Sequence, residues 1–261
     1  DGKTIRSTAK MSKYDSPLHI VSAYASELGV TLAQKSVEGK SNEIPAVQEL
    51  IKTLEISGCI VVADAMNCQI ETAKSILEAK ADYLLCAKSN QPTLKTDIED
   101  YVQDDKLRAK MNSASKTEKG HGRIETRKYS IISDLSHVSD REKWQTVKSL
   151  IRVDTIVCEK KTGKETKSER YYISSLKEDI GKITGYIRGH WEIESMHWSL
   201  DVIFREDNQA KRDNNAIANF NTICKFAMSL LNDEQTYKGS KTKKRAEALY
   251  EPEYREKLLK L

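Results

Sequence analysis

Three carboxylates stand out by where they fall in the chain. Asp64 closes the apolar, β-branched run CIVVA (59–63), Asp1 heads the segment DGKT, and Glu194 lies within YIRGHWEIESMHWSLD (186–201). A carboxylate deep in a strand is costly without a partner. At the carboxyl end of a strand, where α/β sheets place their ligands, it can stay hydrated or hold a cation. Gly2 allows close backbone approach beside Asp1, and Lys3 and Arg6 add positive charge. On a helix, residues three or four apart share a face, which lines Glu194 up with His190, Trp191, His197, Trp198 and, a turn further, Asp201. Oxygen ligands converging from three such places suit Mg²⁺ or Mn²⁺. A pair of these ions can activate a water or hydroxyl and stabilise the leaving oxygen of a phosphodiester. Spacing alone leaves other readings open: Asp64 as a turn or cap residue, and Glu194 in an ion pair with Arg188 or Arg205. The spacing of His190, Glu194 and His197 is not the H-E-x-x-H pattern of a zinc site.

The elements that must position these residues can be read from periodicity. Residues 18–26 and 30–37 read as two strands around the turn Glu27-Leu28-Gly29. Ile44, Val47, Leu50, Ile51 and Leu54 recur at helical spacing in 43–56, with Ser41 or Asn42 as its cap. A short buried strand ending at Asp64, an amphipathic helix over 69–80 and a buried strand over 82–88 follow. The order ββαβαβ predicts an α/β sheet with helices packed on it. Beyond it, 91–103 reads as a helix with Pro92 in its first turn, and 104–122 as a polar loop. Strands are expected over 122–132, 146–161 and 167–176, the last two joined by a hairpin turn containing Gly163. Residues 178–204 form the longest helical pattern and 215–233 a second one. Trp191 and Trp198 read as core. The expected organisation is a core over 1–89, a β-rich insertion over 90–176, a helical completion of the core over 177–233 carrying Glu194, and a basic tail over 234–261.

Composition narrows the functional classes. No apolar stretch approaches the ~20 residues of a membrane span, and no secretory signal is evident. The five cysteines are scattered without a C-x-x-C pair, which fits a reducing cytoplasm better than a disulfide or thiolate-zinc scaffold. With 43 basic and 39 acidic residues the net charge is only +4, so charge distribution matters more than total charge. Neither a G-x-G-x-x-G fingerprint nor a phosphate loop is present, which argues against a nucleotide-dependent small-molecule enzyme. The first residue is Asp1 rather than Met, so the chain reads as a fragment or as lacking its start.

The segments DGKT, LHIVSAYAS, KSNEI, GCIVVADAMNCQ, ADYLLCAKSNQP, HGRIETR, YYISSL, RGHWEIESMHWSLDVIFRED and KTKKRAEALYEPEYREKLLKL together resemble bacterial insertion-sequence transposases of the DDE type. The most similar group is the one that includes the H-repeat-associated proteins, and the resemblance runs along essentially the whole chain. It implies a ribonuclease H-like core, a mixed sheet flanked by helices whose first strand is truncated here. It also implies metal-dependent cleavage and joining of DNA at element ends, with Asp1, Asp64 and Glu194 as the acidic trio that holds Mg²⁺ (or Mn²⁺). Two departures stand out. Related transposases usually carry an Arg four residues before the third acidic residue, where this chain has His190, and the chain reads as lacking the family's preceding helical region.

The partners expected on this reading are DNA, both element ends and target, and a second copy of the chain on DNA. Phosphate neutralisation would carry most of the affinity. The residues expected to contact DNA are Lys3, Lys40, Lys88, His121, Arg123, Arg127, His190, Lys243 and Arg245. The alternative is a truncated, inactive remnant that only binds DNA.

Overall fold

The computed structural model describes residues 1–6, 8, 17–38, 42–120, 122–177, 179–209 and 213–260. The chain is α/β, and it divides into two compact units: Asp1–Leu50 with Gly189–Leu261, and Ile51–Arg188.

In the first unit, β1 (Gly2–Thr4), β2 (Leu18–Ala25) and β3 (Val30–Glu38) form an antiparallel sheet in that order. Alternation along β2 assigns its two faces. Leu18 and Ile20 pack with Ile5 against Ile217 of α7 (Asn214–Asp233). Val21 packs against Ala46 and Leu50 of α1 (Glu43–Thr53), joined by Ala33 and Val37 of β3. The expected hairpin is present, and Gly29 takes the left-handed backbone its turn requires (φ +67°).

The single helix expected over 178–204 is two helices, α5 (Ile180–Gly189) and α6 (Trp191–Val202), meeting at His190. Apolar spacing runs unbroken through Gly189 and hides the break. Ile193, Met196 and Leu200 of α6 pack on Cys224 and Met228 of α7. Trp191 is half-buried, but Trp198, expected in the core, lies 60% exposed on α6. The basic tail folds into α8 (Lys241–Tyr250), capped by Ser240, and α9 (Pro252–Leu259), each with one buried residue, Lys244 and Leu258.

The second unit holds a six-stranded mixed sheet in the order β4-β5-β9-β8-β7-β6. Its strands are β4 (Ile60–Ala63), β5 (Asp82–Ala87), β6 (Asn112–Gly120), β7 (Arg123–Ile132), β8 (Ser149–Glu159) and β9 (Glu165–Ser174). Only β4 and β5 are parallel, joined by the crossover helix α2 (Ile70–Glu78). Leu84, Tyr129, Ile131, Ile151, Val153 and Tyr172 form one buried face under Ile183 and Ile187 of α5.

Two features of this unit differ from the pattern reading. The polar stretch over 104–122, expected as a loop, contains the short helix α4 (Asp105–Arg108) and the edge strand β6. An edge strand wetted on both faces shows no apolar alternation to detect. The strands expected as an insertion apart from the core also continue it, because β9 pairs antiparallel with β5. Strand partners 84 to 90 residues apart leave no local trace. Between them α3 (Pro92–Gln103) buries Leu94, Ile98 and Tyr101.

Candidate active site

Asp1 continues the β1 ladder. Ser22 N–H donates to its carbonyl (2.9 Å), and Asp1 N donates back to the Ser22 carbonyl (3.1 Å). The backbone N–H of Gly2 donates to the Asp1 carboxylate (2.8 Å). Gly2 itself is dictated by its surroundings. A methyl there would collide with the His19 ring and the Glu43 carboxylate, which bond to each other at 2.9 Å on the α1 face.

The side chains of Asp1 and Lys3 meet α6. Residues two apart on a strand stand about 6.7 Å apart, close to the ~6 Å rise of residues four apart on a helix. Asp1 accordingly faces His197 (3.6 Å) and Lys3 faces Asp201 (2.8 Å). Burial first, then the Lys225 ammonium, push His197 down to about 3, so its ring is neutral near pH 7 and the contact with Asp1 is not an ion pair. Its buried Nε2 has no hydrogen-bond partner among the described residues. Glu194 is exposed one turn ahead of His197 on α6. Neither Arg188 nor Arg205 forms an ion pair with it among the described residues; Arg188 pairs with Glu118 (3.4 Å).

Lys3 is not presented to solvent. Its side chain is 9% exposed, and its ammonium lies 2.8 Å from both Asp201 and Glu206. Burial opposes its charge, but Glu206 and Asp201 outweigh that and hold its pKa above the ordinary lysine value.

In the second unit Asp64 follows β4 directly and precedes a 3-10 turn, Ala65–Asn67. Its carboxylate caps no backbone N–H of that turn and instead accepts the Asn67 side-chain amide (3.0 Å). The turn is held from the neighbouring strand end. Asn90 Nδ2 donates to the Ala65 carbonyl (2.6 Å) and Gln91 Nε2 to the Cys68 carbonyl (2.9 Å). The segment KSNQP thus works as a clamp on the turn after Asp64. Asn90 Oδ1 accepts the Lys88 backbone N–H (3.2 Å), and Lys88 is exposed at the carboxyl end of β5.

The other residues expected to meet DNA are placed unequally. Arg123 and Lys243 are exposed, and His190 is half-buried at the start of α6. Arg127 is only 6% exposed and is held between Glu118 and Glu125 on neighbouring positions of β6 and β7. Arg245 is exposed in part, but its guanidinium donates to the Ile203 carbonyl (2.6 Å) and lies 5.5 Å from the Phe204 ring centroid. Lys40 and His121 lie outside the described residues.

Two groups escaped the pattern reading. Glu43, the buried first residue of α1, offers a carboxylate oxygen within 4.8 Å of one from Asp1. Its place in the first turn of a helix disguised it as an ordinary N-terminal acid. Lys225 is buried on α7, where its ammonium donates to Ser22 Oγ (2.6 Å) and Gln34 Oε1 (2.7 Å). A lysine at a core-facing helical position was its only signal. All the acidic candidates are hard oxygen donors, the set that fits Mg²⁺ or Mn²⁺ rather than a thiophilic metal.

A family model described as "Transposase DDE domain" matches residues 1–230. The chain is 38% identical over 264 residues to "Putative transposase YncI" of Escherichia coli O157:H7, covering 99% of this chain and 67% of that protein. It is 32% identical over 260 residues to "H repeat-associated putative transposase YhhI" of Escherichia coli K12, covering 97% and 68%. A shorter match, 36% over 136 residues, links it to "H repeat-associated putative transposase YbfD" of the same strain, over 52% of this chain and 53% of that protein.

Proposed function

The chain belongs to the DDE transposase domain family, and from that premise we propose that it cleaves DNA strands at insertion-sequence ends and transfers them to target DNA. The observation that carries this reading is Asp64: a carboxylate at the end of a sheet strand, bonded by Asn67 and unused as a cap, followed by a turn that Asn90 and Gln91 clamp from the next strand end.

Asp1, Asp64 and Glu194 are the proposed ligands of Mg²⁺ or Mn²⁺. Bound there, the metal would supply Lewis acidity and an activated water or 3′-hydroxyl for an in-line displacement at phosphorus. The protein's own contribution is position and charge. The β1–β2 ladder holds the Asp1 backbone, while α6 carries Glu194 and sets His197 against Asp1. A neutral His197 beside Asp1 (3.6 Å) adds no positive charge where a cation must sit. Lys88 and Arg123, both exposed, are the proposed phosphate contacts. Two DNA ends must meet, so the working form is a homodimer on DNA. The proposed compartment is the cytoplasm, where the DNA substrate of this reading lies.

The test is nicking and strand transfer on duplex DNA carrying the element's terminal sequence, with Mg²⁺ or Mn²⁺. Asp64→Asn and Glu194→Gln should each lower cleavage about a thousandfold or more while DNA binding persists. Binding without cleavage by the unmodified chain, under both metals, would reduce the reading to a DNA-binding remnant.

A further inference from the structure

The parallel pair β4–β5 ends abruptly, while β9 runs on past it. Ala87 of β5 pairs with Tyr171, and among the described residues β9 positions before Tyr171 pair only with β8. The space beyond the end of β5 is a cleft of about 470 Å³, lined by Lys88, Ser89, Lys95, Lys167, Arg170 and Tyr171 together with Ser168 and Glu169. Four cations line it against one carboxylate. Lys95 is partly neutralised by Glu99 (3.4 Å), and Glu169 is held by Arg152 (3.0 Å) and by the Tyr171 hydroxyl (2.5 Å). Lys88 and Lys167 are exposed and join none of the ion pairs among the described residues. The cleft also lies at the Asp64 end of the sheet. The Cys86 thiol, pushed up first by burial, feels the charges of Lys88, Arg170 and Asp64 together.

We propose that this cleft is a binding site for the sugar-phosphate backbone of DNA, with Lys88, Lys167 and Arg170 contacting its phosphates. The assignment rests on the transposase reading and extends it, adding Lys167 and Arg170, which neither the motifs nor the family match single out. Its chemistry suits an anionic polymer, because cations and hydroxyls line it beside the strand end that bears Asp64. Sequence is not read there; the contacts neutralise phosphate and set the position of the strand.

The experiment is fluorescence anisotropy of a labelled duplex with the full chain over a salt series, in metal-free buffer. Lys88→Gln/Lys167→Gln should reduce the slope of log K against log salt by about two, one for each phosphate contact removed. Adding Arg170→Gln should reduce it by about one more. Lys74→Gln on α2 serves as the surface control and should leave the slope unchanged. A slope unchanged by Lys88→Gln/Lys167→Gln, in a chain that still binds DNA, overturns the cleft and leaves the transposase reading standing. Inorganic phosphate displacing DNA from the unmodified chain as well as a competing duplex does would make the cleft a small-anion site and also overturn it. A chain that binds no DNA fails at the transposase reading itself.

Discussion

Lys3 and Lys88 are both lysines near a candidate catalytic aspartate, yet the two units treat them in opposite ways. In the first unit Lys3 turns into the protein and joins Asp201 and Glu206; in the second, Lys88 stands exposed beyond the end of β5. The difference follows from what each strand end faces. β1 lies against α6 and the 3-10 turn Glu206–Asn208, where the buried Glu206 needs a counter-charge. β5 ends at an open cleft with cations on its other walls. A basic residue near a functional site is therefore an anion contact only where the tertiary structure leaves its charge unspent.

The largest expected effect sharpens that contrast. Lys3→Met leaves the buried Glu206 without its cation and should cost about 3–5 kcal/mol in urea unfolding. Lys88→Met should change stability by less than about 0.5 kcal/mol. Equal costs for the two would erase the distinction.

Lys225 supplies a pH-dependent version of the same comparison. Burial first, with Lys3 acting in the same direction and Glu206 against it, lowers its pKa to about 7. An unfolded lysine titrates near ~10.4. Between those values the unfolded chain holds a proton that the folded chain has lost, so stability rises with pH, by up to about 1.4 kcal/mol per unit. Below about pH 7 both forms are protonated and the destabilisation is present in full. Denaturant midpoints at pH 7, 8 and 9 should climb for the unmodified chain and flatten for Lys225→Met. Parallel profiles would show that Lys225 stays charged when buried.

Gly2→Ala is the smallest of the three. The added methyl meets His19 and Glu43, and the overpacking should cost about 1–3 kcal/mol. A stability unchanged in thermal unfolding would mean that the His19–Glu43 pair yields freely and that β1 does not depend on close approach there.

Much of the local structure was legible before any coordinates. Alternation in 18–26 and 30–37, helical spacing in 43–56 and 215–233, and the turn at Gly163 each correspond to an observed element. These patterns arise from single segments burying one face, so they are written within a dozen residues. The motif-borne acids Asp1, Asp64 and Glu194 were legible as residue types at strand and helix positions. The break at His190, the exposure of Trp198 and the edge strand β6 were not, because each depends on what packs alongside.

By itself the sequence determined the α/β character, most of the helices and strands, and membership in the DDE transposase domain family, whose match spans residues 1–230. Tertiary structure alone decided which charges are spent. Lys3, Arg127 and Lys225 were drawn into the protein, whereas Lys88 and Lys167 were left facing a cleft. The physical reason is that desolvating a charge depends on every element packed around it, and those elements come from parts of the chain up to two hundred residues apart.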